Sequence, residues 1–265
     1  MKDKVIVVTG ASAGIGAALA QCVAARGARP VLLARRAVEL DKIAQRVGSE
    51  ALAIVTDVTQ RKQVQQAVQQ TLQHFGQLDV WVNNAGRGIS RPVTELTDAD
   101  IDEMMLVNVK SALYGMQAVL PHFREQGRGH IINVSSMLGR VPFAPIRSAY
   151  SASKHALNSL TANLRMELRQ IPDIHVSSVH PGVVATEFGL NALHGGHDSR
   201  LFPGAQTAEQ VAEVIADVIE NPRADVYTRP EAQNLVANYF AAPDMAEVEA
   251  TFTVGAPRPQ GSGNS

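Results

Sequence analysis

The amino-acid sequence predicts an α/β fold: one doubly wound parallel sheet of about seven strands with helices on both faces. Two observations predict it. Short β-branched runs alternate with longer segments of helical period, and a glycine-rich turn follows the first run and opens a helix. The chain has 265 residues, 45% of them hydrophobic, which suits one large domain, residues 1–254, better than two independent ones.

The first strand is residues 4–9, whose core Val5-Ile6-Val7-Val8 is too short for a secretory or membrane-spanning segment. Strands at 30–34, 51–55, 80–82, 130–134, 175–180 and 225–228 follow, with amphipathic helices in most intervals. Long helical patterns cover 98–124 and 148–169, another runs through 207–220, and a final helix follows Pro230. Residues 189–203 break this rhythm with Gly195-Gly196-His197-Asp198, so a loop or lid over a site is expected at about 189–206. His194 and His197 lie there without a rigid scaffold to fix ligand geometry, and no metal is expected. Residues 255–265, GAPRPQGSGNS, lack apolar periodicity and are expected to form a disordered tail.

Lys plus Arg (24) nearly cancels Asp plus Glu (25), which argues against nucleic acid or a polybasic membrane surface as partner and for a small ligand. The single cysteine, Cys22, excludes an intramolecular disulfide and a cysteine-cluster metal site, and is expected to pack as a small apolar residue. These features place the protein in the cytoplasm.

After the first strand the chain reads Thr9-Gly10-Ala11-Ser12-Ala13-Gly14-Ile15-Gly16 and enters a helix. Glycines there allow a tight turn and close approach of backbone to a pyrophosphate, whose charge is favoured by the N–H groups of a helix N-terminus. At the end of the second strand, Ala34-Arg35-Arg36 offers no acid for ribose hydroxyls and two arginines for an extra phosphate. Tyr150 and Lys154 stand four apart on a helical pattern, so phenol and ammonium can share a face; an adjacent cation favours phenolate and brings a phenol toward a useful acid/base range. The fifth strand ends in Ser135-Ser136, where a hydroxyl faces the ligand crevice and can stabilise charge developing on a substrate oxygen.

The spacing G-x-x-x-G-x-G, the strand-end Asn83-Asn84-Ala85-Gly86 and Tyr150-Ser151-Ala152-Ser153-Lys154, in that order, resemble the classical short-chain dehydrogenase/reductase family over about residues 4–186. The resemblance implies a Rossmann-type fold and hydride transfer between a nicotinamide cofactor and a carbonyl or alcohol. It makes Tyr150 the general acid/base and Lys154 the residue that depresses its pKa and binds the nicotinamide ribose. Ser136 would orient the carbonyl, with Ser135 as the fallback because the spacing to Tyr150 is one residue longer than in many relatives. Asn108 would hold a water in the proton relay. The cofactor-binding set would be Gly10, Ser12, Ala13, Gly14, Ile15, Gly16, Arg35, Arg36, Asp57, Val58, Asn84, Ala85, Gly86, Tyr150, Lys154, Pro181, Gly182, Val184 and Thr186. Arg35 stands at the phosphate clamp of NADP-using members, which favours NADP(H) over NAD(H), while Ala13 replaces a basic residue of some of them and leaves selectivity open.

Met137, Leu138, Phe143 and Phe188 join Ser136 and Tyr150 as candidate substrate residues, and Arg87, Arg140 and Arg147 are weighed as contacts for a substrate anion. A homodimer through the long helices is expected, with a tetramer as the alternative. Two other readings stay open: a dinucleotide sensor or scaffold without turnover, and an epimerase or dehydratase, for which the chain is short.

Overall fold

The structure is a computed structural model describing residues 1–252, so the tail expected at 255–265 lies outside the described residues. Seven parallel strands, β1 (Val5–Thr9), β2 (Arg29–Ala34), β3 (Leu52–Val55), β4 (Val80–Asn83), β5 (Gly129–Val134), β6 (Ile174–His180) and β7 (Asp225–Tyr227), form one sheet in the order β3-β2-β1-β4-β5-β6-β7. Each lies within one residue of its expected bounds.

Alternation in β1 explains the layering. Ile6 and Val8 point to one face, where α1 (Gly14–Ala25), α2 (Ala37–Val47) and α7 (Ala208–Glu220) bring Leu19, Val23, Leu40, Val211 and Ile215. Val5 and Val7 point to the other, where α3 (Arg61–Phe75), α5 (Ser111–Gln126) and the sheet's own Trp81 supply Val64, Val68, Met116, Val119 and Phe123. Burial on both faces is why β1 reads as an unbroken apolar run. The chain turns back at the gap between β1 and β4, and a sheet of this kind binds ligands outside the strand carboxyl ends at such a switch point.

Two helical expectations are corrected. The pattern over 98–124 is not one regular helix: α4 (Asp98–Met105), opened by a Thr97–Asp100 capping box, passes through a π-helical turn, Leu106–Lys110, into α5. The wider turn carries Asn108, which is buried. The final helix after Pro230 is two, α8 (Glu231–Ala241) and α9 (Met245–Thr251), separated at Pro243, whose ring cannot continue a helix. The remaining long helix, α6, spans Ser148–Glu167. Residues 189–206 form an irregular segment with one 3-10 turn, Ser199–Leu201, and Leu193 pairs with Ile89 in a short parallel bridge. Among the described residues no helix is long and apolar enough to cross a membrane.

Candidate active site

The glycine loop is shaped by two different demands. Gly10 has a left-handed φ of 68°, and Gly16 sits where an added Cβ would lie 2.5 Å from the Gly10 carbonyl oxygen and 2.6 Å from Asn84 Nδ2. Only a residue without Cβ lets α1 approach the loop this closely. Asn84 Nδ2 donates to the Thr9 carbonyl at 2.9 Å, and the Asn84 and Ala85 amides donate to Thr9 Oγ1 at 2.9 and 3.0 Å. Gly14, also left-handed, faces Thr186 across the cleft, with its Cβ position 3.3 Å from Thr186 Cγ2. Thus the loop after β1, the turn after β4 and the Pro181–Thr186 segment form one cradle at the switch point, with the N-terminus of α1 open to it. A pyrophosphate fits this cradle: glycine backbone comes close and helix N–H groups point outward.

At the end of β2 both arginines are exposed, but they are not equivalent. Arg36 donates to Ser12 Oγ from Nε at 3.3 Å and Nη2 at 3.0 Å, which fixes its guanidinium on the glycine loop. Arg35 makes no side-chain hydrogen bond among the described residues. Asp57 accepts from the Thr59 amide at 3.0 Å and hydroxyl at 2.7 Å, so one of its oxygens is committed to the turn that precedes α3; Val58 packs on the core.

Ser136, Tyr150, Lys154 and Asn108 converge at the carboxyl end of β5. Ser136 Oγ accepts the Leu138 amide at 3.1 Å, leaving its own proton to donate, and lies beside the Tyr150 phenol. Ser135 Oγ is instead buried toward Gly139, where a Cβ would lie 2.9 Å from it. Of the two serines, Ser136 is the one whose hydroxyl lies beside the phenol. Asn108 Nδ2 donates to the Arg87 carbonyl at 2.9 Å and to Ser153 Oγ at 3.1 Å, while Oδ1 accepts the Arg87 amide at 2.9 Å.

Burial dominates the electrostatics of Tyr150 and Lys154. Lys154 Nζ donates to the Val134 carbonyl at 2.9 Å and lies 5.7 Å from the Tyr150 ring centroid. Burial pushes the phenol up to about 12, outweighing the Ser136 hydroxyl and the Arg147 charge that pull it down, and burial pushes Lys154 down to about 8. Arg147 is the charge that pulls the phenol down, and the Lys154 ammonium has one of its three donors on a backbone carbonyl. A phenol held protonated is a proton donor.

The substrate candidates divide. Phe188 packs edge-on against Tyr150, with ring centroids 5.6 Å apart, and Leu138 packs with Tyr150, Met104 and Ile89. Phe143 instead stacks on Phe252 at 3.7 Å and meets Tyr239 edge-on, so it is occupied by the C-terminal helices; with Met137 it lines a cavity of about 510 Å³ beside α8. Cys22 is half-buried, with its thiol donating to Glu213 at 3.2 Å. Two features escaped sequence reasoning, Ser153 as partner of Asn108 and the tie of His194 to Asp100 at 2.7 Å, because both join residues with no local pattern between them.

Residues 4–194 match the short chain dehydrogenase family. The chain belongs to that family. As a short-chain dehydrogenase/reductase it is an NAD(P)-dependent oxidoreductase. It is 35% identical over 246 residues to an uncharacterized oxidoreductase of Staphylococcus saprophyticus, covering 89% of this chain and 99% of that one. Among solved structures it resembles a short chain dehydrogenase/reductase from Burkholderia phymatum in complex with NAD (TM-score 0.83, 26% identity, 94% of this chain and 95% of that one). It also resembles an alcohol dehydrogenase from Thermococcus sibiricus complexed with 5-hydroxy-NADP (TM-score 0.75, 29% identity, 85% and 95%).

Proposed function

We propose that this short-chain dehydrogenase/reductase prefers NADP(H) and interconverts a carbonyl compound and an alcohol, with Tyr150 as the acid/base. The observation that carries the reading is the convergence of the Ser136 hydroxyl on the Tyr150 phenol beside the glycine cradle. The bound nicotinamide supplies or accepts hydride. The chain's residues do the rest: Ser136 donates to the substrate oxygen, Tyr150 gives that oxygen its proton in reduction, and Lys154 and Asn108 hold the path by which Tyr150 is reprotonated. Arg35 and Arg36, next to an Ala34 that carries no acid, answer the additional phosphate of NADP(H).

The test follows loss of reduced-nicotinamide absorbance with NADPH and NADH against ketones and aldehydes, for native protein and Tyr150→Phe. Removing the general acid is expected to lower turnover by roughly 10²–10⁴-fold while NADPH still binds. A variant as fast as the native enzyme refutes the role of Tyr150. The cytoplasmic location and a homodimer through α4–α5 and α6, or a homotetramer, belong to the same proposal, and sedimentation separates the assemblies.

A further inference from the structure

The three arginines near the cleft have different fates. Arg87 pairs with Glu103 at 3.2 Å, and Arg140 is bound by Asp225. Arg147, half-buried just before α6, has no carboxylate within ion-pair distance among the described residues, and its guanidinium makes one hydrogen bond, from Nη1 to the Ile89 carbonyl at 3.1 Å. A guanidinium has five N–H donors in a fixed fork, so most of these are uncommitted. Desolvation without a counter-charge is costly, and burial weakens the hold of Arg147 on its proton.

Its surroundings are built to admit it. A Cβ on Gly88 would lie 3.1 Å from Arg147 Nη1 and 3.0 Å from Phe188 Cε1; one on Gly196 would lie 3.2 Å from Arg147 Nη2 and 3.1 Å from Ser90 Oγ. Ser90 Oγ is buried and has no hydrogen-bond partner among the described residues. Arg147 Nη2 and the Ser90 hydroxyl therefore border the same Gly196 position, and neither has a hydrogen-bond acceptor among the described residues. The place is also next to the chemistry: Phe188, which borders the same Gly88 position as Nη1, packs on the Tyr150 ring, and Arg147, just before α6 and three residues before Tyr150, is close enough for its charge to act on the phenol.

We propose that Arg147 is a specificity-determining residue that binds a substrate carboxylate, making the substrate class an oxo acid and its hydroxy acid, with the carboxylate a few bonds from the reacting carbonyl. This rests on the carbonyl–alcohol reading above. The reaction remains balanced as there: the carbonyl carbon gains hydride from the reduced nicotinamide, and its oxygen gains a proton from Tyr150. The carboxylate is unchanged and serves as the handle.

The experiment compares pyruvate, acetoacetate and levulinate with their methyl esters, using native enzyme, Arg147→Met and Arg147→Lys. For at least one pair the native enzyme is expected to prefer the acid, and Arg147→Met is expected to cut the acid-to-ester ratio of kcat/KM by about 10–100-fold, the scale of a lost charge-assisted hydrogen bond. Arg147→Lys should recover part of that ratio. If acid and ester fall together, Arg147 acts on Tyr150 or on packing and the proposal is overturned; a native preference for the esters overturns it too. If the native enzyme reduces neither these compounds nor the neutral ketones and aldehydes tested above, the carbonyl–alcohol reading is the one that fails. A binding arm then judges Arg147 alone: isobutyrate, and not isobutyramide, should raise the Tm of the NADP+-loaded native protein, and Arg147→Met should abolish the shift. Equal shifts for the two probes, or an unchanged shift in the variant, overturn the proposal.

Discussion

At the residue scale, Lys154 and Tyr150 are opposed in sign. The Lys154 amine falls from 10.5 to about 8 and the Tyr150 phenol rises from 10.0 to about 12, both chiefly through burial. Between about pH 8 and 10.5 the unfolded chain holds a proton on Lys154 that the native protein has released, so stability rises with pH across that window. Below about 8 both states are charged and the desolvation cost is fully present. Tyr150 acts oppositely, but only above its unfolded value near 10, where its contribution begins to be lost as pH rises toward 12. The urea midpoint of native protein minus that of Lys154→Met should therefore increase from pH 8 to 10; a difference independent of pH would show that the ammonium is not desolvated. The arginines after β2 make a second residue-scale prediction. Because Arg36 is fixed on Ser12 and Arg35 is exposed, substituting both by Ala should weaken NADPH by roughly tenfold or more, as expected for lost charge-assisted hydrogen bonds, and leave NADH within a few-fold. Fluorescence titration with each dinucleotide measures it, and equal losses for the two would assign these arginines to something other than the extra phosphate.

At the element scale, the β1–loop–α1 unit is the least tolerant of added volume. A Gly16→Ala methyl would meet the Gly10 carbonyl and Asn84, both held by other hydrogen bonds or backbone, so the helix must shift away from the loop. Overpacking of this kind costs about 1–3 kcal/mol, and the displaced N-terminus should also lose dinucleotide affinity. Chemical denaturation and NADPH titration test both; a variant with native stability and affinity would mean that the loop yields freely. This unit was legible in the sequence because its determinants are local: positive φ, small residues and a helix start within eight positions. The π-helical turn at Asn108 was not legible, since Leu106-Val107-Asn108-Val109-Lys110 carries the same helical period as its neighbours. Only the two-ended bonding of Asn108 to the Arg87 backbone shows what the wider turn holds.

At the scale of the whole molecule, the 189–206 segment is tied down from several elements at once. Leu193 donates to the Gly88 carbonyl at 2.9 Å and accepts the Ser90 amide at 2.9 Å, and His194, at a left-handed φ of 61°, reaches Asp100. Arg91 contacts His194 Nδ1 at 3.3 Å and can only donate, so Nδ1 accepts and Nε2–H donates to Asp100. His194→Ala keeps the strained backbone and removes its anchor. Exchange of the Leu193 and Ser90 amides should accelerate by roughly tenfold, the loss of one hydrogen bond to a charged group, with β1 and β4 unchanged. Unchanged exchange at those two amides would mean that the bridge to Ile89 holds the segment alone.

The sequence by itself determined the fold class, the glycine loop between β1 and α1 and the Tyr150–Lys154 spacing, because period, glycine content and helical phase act over a few neighbouring residues. Tertiary structure decided which serine meets the phenol, which arginine sits on Ser12, that Phe143 belongs to the C-terminal helices, and that Lys154 is turned to Val134. It also decided that Arg140 is neutralised by Asp225, 85 positions away, while Arg147 has no carboxylate within ion-pair distance among the described residues. Charge pairing and desolvation depend on distance through space, and folding sets those distances between residues with no local pattern linking them.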